Sequence, residues 1–157
     1  MTTLPETTRL RLRTQLDVLP LLLAGADPAA ADRQPAPGKW SARENLAHLG
    51  RYHEVTAERL WRILADDEPP LSRYRAEDDA EWPRWSALPL KGVLDAMAAR
   101  RGELIAQVAA LSPTELARRG VHPLLGPMPV PLLLEFFLLH EAHHLYVAMP
   151  LLRRRAD

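Results

Sequence analysis

The sequence predicts an all-α fold, an antiparallel four-helix bundle, and three observations carry that expectation. Apolar residues recur at three- and four-residue spacing in four separate segments. Most of the fifteen prolines and seven glycines fall between those segments, where they act as breaks. No stretch alternates apolar and polar residues as a half-buried strand would, so no sheet of any size is expected.

The first helix is expected to start at a capping box of Thr3 and Glu6 and to carry Leu12, Leu16, Leu19 and Leu23 on one face. Pro20 should kink or break it, because its ring meets the carbonyl of Leu16. A polar, proline-bearing linker from Asp27 to Lys39 follows. The second helix has the clearest start, Ser41 with Glu44 as an S-x-x-E cap and Trp40 placed to pack back on the first turn. It should run to about Ala65, and Asp66-Asp67-Glu68-Pro69-Pro70 closes it. Residues 71–87 show no period and read as a loop with one short turn at most. The third helix spans roughly Leu90 to Ala110, with the unexpected Arg101 inside its apolar stripe. Ser112-Pro113-Thr114-Glu115 caps a brief helical turn, and a turn-rich stretch, Val121 to Pro129, leads onward. The fourth helix should run from about Pro131 and stop or kink near Met149, because Pro150 follows; Arg153-Arg154-Arg155 reads as its solvated end.

Composition narrows the function classes. With 47% apolar and 25% charged residues the chain has ordinary globular usage, and its length suits one domain over residues 1–157. Basic and acidic residues cancel at twenty each, so neither nucleic acid nor an anionic membrane is an expected partner. Cysteine is absent, which removes disulfides, thiolate ligands and any protein-borne thiol nucleophile. The first residues lack a basic segment followed by an apolar one, and a cytoplasmic location is the expectation.

Three of six histidines crowd into His140-Glu141-Ala142-His143-His144. Residues four apart on a helix lie about 40° apart, so His140 and His144 can both reach one ion. The competing reading is a pair of core histidines satisfied by hydrogen bonds. Two imidazoles one turn apart on a dry face are costly without partners, and a metal would supply one. The segment also reads H-E-x-x-H, the zinc-protease pattern with Glu141 as general base; without strands to hold an extended substrate, we take the match as coincidence. A third ligand should come from the second helix, which offers His48 and His53. The helical wheel slightly favours His53, nearer the middle of the apolar face, and leaves the choice open.

The string Lys39-Trp40-Ser41-Ala42-Arg43-Glu44-Asn45-Leu46-Ala47-His48-Leu49 resembles the W-S-x-x-E-x-x-x-H-L signature of the DinB-like family, the damage-inducible, YfiT-related four-helix-bundle metalloproteins. His122-Pro123-Leu124-Leu125-Gly126, an apolar run and His140-x-x-x-His144 resemble the family's second half, in the right order and spacing. The resemblance implies one divalent metal held by His48, His140 and His144, with His53 and His143 as supporting or packing residues. It also implies a cosubstrate role for a low-molecular-weight thiol such as mycothiol or bacillithiol, and a homodimer. A stress-response metal or ligand carrier without turnover and a metal-dependent hydrolase are the other readings.

An all-imidazole site keeps the full charge of its ion, which favours an anionic ligand or a thiolate, and suits zinc or nickel better than magnesium. Arg101, central in an apolar stripe, and Arg59, on nearly the same face as His48, are candidate substrate anchors; the alternative is that both snorkel to the surface. Metal affinity should fall as pH drops through about 6.5, where free histidines protonate. The apolar fourth helix is the sequence feature that agrees with a homodimer.

Overall fold

The computed structural model describes residues 2–153. Among these residues seven α-helices form: α1 Glu6–Thr14, α2 Leu19–Leu23, α3 Ala42–Ala65, α4 Trp82–Ser86, α5 Leu90–Ala109, α6 Pro113–Ala117 and α7 Val130–Arg153. The long helices α3, α5 and α7 together with the α1–α2 segment make the four-helix bundle, in which α3 packs on both α5 and α7. No described helix is long and apolar enough to cross a membrane.

Local chemistry explains the boundaries. Ser41 accepts from the Glu44 backbone at 3.2 Å and the Glu44 carboxylate accepts from the Ser41 backbone at 2.7 Å, so both halves of the capping box start α3. The same reciprocal cap, Ser112 with Glu115, starts α6. The box expected at Thr3 and Glu6 does not form, because Pro5 occupies the boundary position and supplies no side-chain cap. Pro20 acts as expected: the chain tightens into a 3-10 turn over Gln15–Val18 and restarts as α2 with Pro20 in its first turn, where a missing N–H is tolerated. Pro150 does not stop α7. Buried Leu151 and Leu152 hold the last turn against the bundle, and Arg153 donates to the Leu21 carbonyl at 3.0 Å. Arg154 and Arg155 lie outside the described residues.

Within the expected helical bundle the turn-rich stretch forms one two-stranded hairpin, which corrects the expectation of no sheet at all. Arg119–His122 (β1) pairs antiparallel with Gly126–Pro129 (β2), and the hairpin turn uses Gly126 at φ +72°. Val121 also bridges to Pro70, exchanging backbone bonds of 2.9 Å with the 69–71 segment. The loop after α3 is thereby tied to the hairpin, and the two together wall one end of the bundle. Within residues 71–87 a 3-10 turn, Ala76–Asp78, precedes α4, whose Trp85 is fully buried against Gly50; a Cβ on Gly50 would stand 2.1 Å from the Trp85 ring.

The core falls into two apolar clusters. One contains Val55, Leu60, Leu104, Phe137 and Leu138, the other Leu46, Leu49, Met97, Leu145 and Ala148. On α3, α5 and α7 alike, buried polar residues lie between the residues of the two clusters, among them His53, Arg101 and Glu141.

Candidate metal centre

His48 on α3 meets His140 and His144 on α7. One ligand nitrogen from each lies within 4.8 Å of the others, and the Nε2 atoms of His48 and His140 are 3.0 Å apart. Nitrogens bound to one ion at 2.0–2.1 Å stand roughly 3–3.5 Å from one another, so modest side-chain adjustment brings this set around a divalent metal. His48 is 5% exposed.

The hydrogen bonding around these rings argues against a self-sufficient core pair. Nδ1 of His48 and Nδ1 of His140 are buried without a partner, and their Nε2 atoms meet each other. His144 is held differently. Asn45 donates its amide to the Ser41 carbonyl at 2.8 Å, which turns its oxygen toward His144 Nδ1, also at 2.8 Å. In that orientation His144 Nδ1–H is the donor, and the Nε2 lone pair is free for a ligand. Burial first, and then the neighbouring rings, hold all three below the ordinary histidine range: His48 at about 3, His144 at about 4 and His140 at about 2. Neutral imidazoles are the form a metal requires.

Aromatic rings frame the cluster. The His48 ring lies 4.8 Å from Trp40, 5.6 Å from Tyr74 and 6.3 Å from Trp82, and the Tyr52 ring lies 4.0 Å from His140. The histidines line a pocket of about 460 Å³ shared with Arg59, Arg73 and Phe136. That volume suits a small molecule.

The other candidates are placed as follows. His53, preferred by the wheel, is 1% exposed and points into the interior; its Nδ1 donates to the Leu49 carbonyl at 2.8 Å and its Nε2 accepts from Arg101 Nε at 2.9 Å. Arg101, expected to snorkel or to face substrate, does neither. It donates to His53, to the Leu12 carbonyl at 2.9 Å and to the Glu141 carboxylate, and it does not line the pocket. Glu141 is fully buried; it also accepts from Gln15 at 2.9 Å, so it is no general base for the histidine cluster. Burial pushes its carboxyl up while Arg101 and Gln15 pull it back. Arg59 does line the pocket and is 6% exposed. His122 lines it too, but its Nδ1 accepts from the Leu124 and Leu125 backbones at 3.2 Å and so pins the hairpin turn. His143 is exposed, with its ring 5.1 Å from that of His144.

Sequence reasoning missed Asn45, Tyr74 and the role of Trp82. Asn45 stands one turn before His48 on the same face, a visible position, but an amide carries no ligand signature. Tyr74 and Trp82 come from the loop without a period.

Known proteins resemble this chain in sequence and in fold. A curated relative from Oceanobacillus iheyensis, named "Putative metal-dependent hydrolase", is 25% identical over 118 residues, 75% of this chain and 68% of its own length. The solved structure of YfiT from Bacillus subtilis, described as a probable metal-dependent hydrolase with an unusual four-helix bundle topology, matches with a TM-score of 0.79 over 95% of this chain and 86% of that one, at 19% identity, a likeness of fold. A second solved structure, described as a four-helix bundle protein, matches with a TM-score of 0.65 and 27% identity over 90% and 95% of the two chains. The sequence model of the DinB superfamily matches residues 11–148, and the chain belongs to that superfamily.

Proposed function

We propose that this protein is a metal-dependent transferase that joins a low-molecular-weight thiol to a small electrophile, with one divalent ion, zinc or nickel, on His48, His140 and His144. The observation that carries the proposal is a set of three neutral imidazoles, without a carboxylate among them, at the wall of a small-molecule pocket. A divalent ion held by such a set keeps its charge and lowers the pKa of a thiol or water beside it.

The protein's own groups favour sulfur. A water nucleophile gains from a nearby general base, and the residue best placed in sequence, Glu141, is committed to Arg101 and Gln15. Glu77 is the acid that lines the pocket among the described residues, and it is exposed. A thiol that has lost its proton to solvent needs no further base: its sulfur lone pair forms the carbon–sulfur bond as the leaving group departs with its bonding pair. The chain has no cysteine, so the sulfur arrives on a cosubstrate. Trp40, Tyr52 and Tyr74, which line the pocket, would exclude water and pack against the electrophile.

Hydrolysis is the second reading, favoured by the descriptions of the relatives. One experiment separates the two: metal-loaded protein is given a small thiol with a haloaromatic electrophile and, in parallel, an activated ester in water. Thiol consumption that requires metal and is lost in His140→Ala supports transfer; ester cleavage alone supports hydrolysis; turnover of neither leaves a metal or ligand carrier.

We further propose a homodimer. The outer face of α7 exposes Leu132, Leu139, Tyr146 and Met149, an apolar stripe on the bundle surface. Sedimentation should show a dimer at micromolar concentration, and monomer alone would contradict it.

A further inference from the structure

Arg59 is a buried cation without an acidic partner among the described residues. It is 6% exposed, and its two described hydrogen bonds go to neutral groups, the Tyr52 hydroxyl at 3.0 Å and the Ser72 carbonyl at 2.7 Å. The other buried arginines differ: Arg51 pairs with Asp79 and Glu58, and Arg101 pairs with Glu141. A guanidinium withdrawn from water without a counter-charge is costly, and an anionic ligand would offset that cost. Arg59 lines the same pocket as the three histidines. Tyr52 joins the two ends, for its ring lies 4.0 Å from that of His140 while its hydroxyl accepts from Arg59. At the mouth Arg73 is exposed and has no carboxylate partner among the described contacts, whereas Arg75 is paired with Asp78 at 3.4 Å. Glu77 is the one acid that opposes them among the described lining residues, and it faces solvent.

We propose that the pocket selects small organic carboxylates, with Arg59 anchoring the carboxylate about one tyrosine side chain away from the histidine cluster and Arg73 drawing the anion in. The guanidinium fork matches a carboxylate edge and presents two parallel N–H groups to it. One buried cation balances one negative charge; a phosphate dianion would call for a second buried cation, and Arg73 is exposed. This inference rests on the proposed small-molecule site and assigns the class of what enters it.

The test measures binding by calorimetry to the metal-loaded protein, using two isosteric pairs: 3-mercaptopropionate against 3-mercaptopropionamide, and propionate against propionamide. In at least one pair the carboxylate should bind roughly tenfold or more tighter than its amide, the range of a charge-assisted hydrogen bond. That preference should nearly vanish in Arg59→Gln, survive in reduced form in Arg59→Lys, and weaken about two- to threefold in Arg73→Gln. Thermal melting of each variant identifies a loss of fold, and should Arg59→Gln not fold, the Arg59→Lys and Arg73→Gln ratios decide. A preference confined to the propionate pair upholds the anion site while removing support for the thiol reading. Equal affinity for acid and amide in both pairs overturns the proposal even if the thiols bind, and tighter binding of inorganic phosphate than of propionate overturns the choice of carboxylate.

Discussion

His140 and Glu141 are neighbours in sequence, yet they serve two buried polar clusters of opposite character. Adjacent helical residues point about 100° apart, so one faces the pocket and the other the bundle interior. Around Glu141 the groups close on themselves: Arg101, Gln15 and His53 bring side chains from α5, the α1–α2 segment and α3, and Leu12 contributes its carbonyl. Around His140 the groups do not close, since two ring nitrogens lack partners and two more face each other. A satisfied network ties the four parts of the bundle together; an unsatisfied one at the pocket wall calls for an ion. Burial of polar residues does not by itself mark a functional site. What distinguishes the two clusters is whether the protein supplies every partner.

The largest effect should come from opening the closed cluster. Glu141→Ala leaves Arg101 buried without its counter-charge and should cost about 3–5 kcal/mol in chemical denaturation. Arg101→Met combined with Glu141→Leu should cost much less than the sum of the single changes, because neither charge is then orphaned. Retention of metal by the folded double variant would confirm that this cluster is structural; loss of metal without loss of stability would erase the distinction.

A smaller effect is expected at Asn45, which belongs to the open cluster's support. Asn45→Ala removes the acceptor that orients His144. It should lower metal affinity about 10–100-fold by competition against a metal indicator, since outer partners of ligating histidines are typically worth that much. The metal-free protein should melt within a few degrees of wild type.

The mildest handle is pH. His53 is held at about 3, by burial first and then by the charge of Arg101, while the Leu49 carbonyl at its Nδ1 opposes the shift. Glu141, 3.5 Å from its Nε2, would favour a protonated ring. A folded value below the unfolded value of about 6.5 means the unfolded chain takes up protons first. Stability of the metal-free protein should therefore be flat above about pH 6.5 and fall steadily as pH drops toward 3. The histidine ligands carry the same sign, so proton competition for the metal should set in below the 6.5 expected of free imidazole. A stability that rises on acidification would contradict the neutral, buried state of these rings.

The sequence reveals those features that local chemistry sets. The Ser41–Glu44 cap, the break at Pro20 and the one-turn spacing of His140 and His144 each follow from a few neighbouring residues. Arg101 was visibly out of place in an apolar stripe, but its partner is forty residues away on another helix, so the spacing suggested substrate where the fold supplies Glu141. The wheel leans toward His53 over His48, because both are buried and a wheel does not show that each joins a different cluster. The β1–β2 hairpin was hidden by Pro123, Pro127 and Pro129, which remove strand donors and read as turns. Tyr74, one part of the pocket's aromatic wall, lies on a segment tied to that hairpin at Pro70.

The most direct test of the distinction between the clusters is elemental analysis after identical metal loading and desalting of the wild type and of His48→Ala, His140→Ala, His144→Ala, His53→Ala and His122→Ala. One divalent ion per chain should remain in the wild type, His53→Ala and His122→Ala, and almost none in the other three, an affinity loss beyond about 100-fold. Full occupancy in His48→Ala together with loss in His53→Ala, or an empty wild type after careful loading, would contradict the assignment of the open cluster as the metal centre.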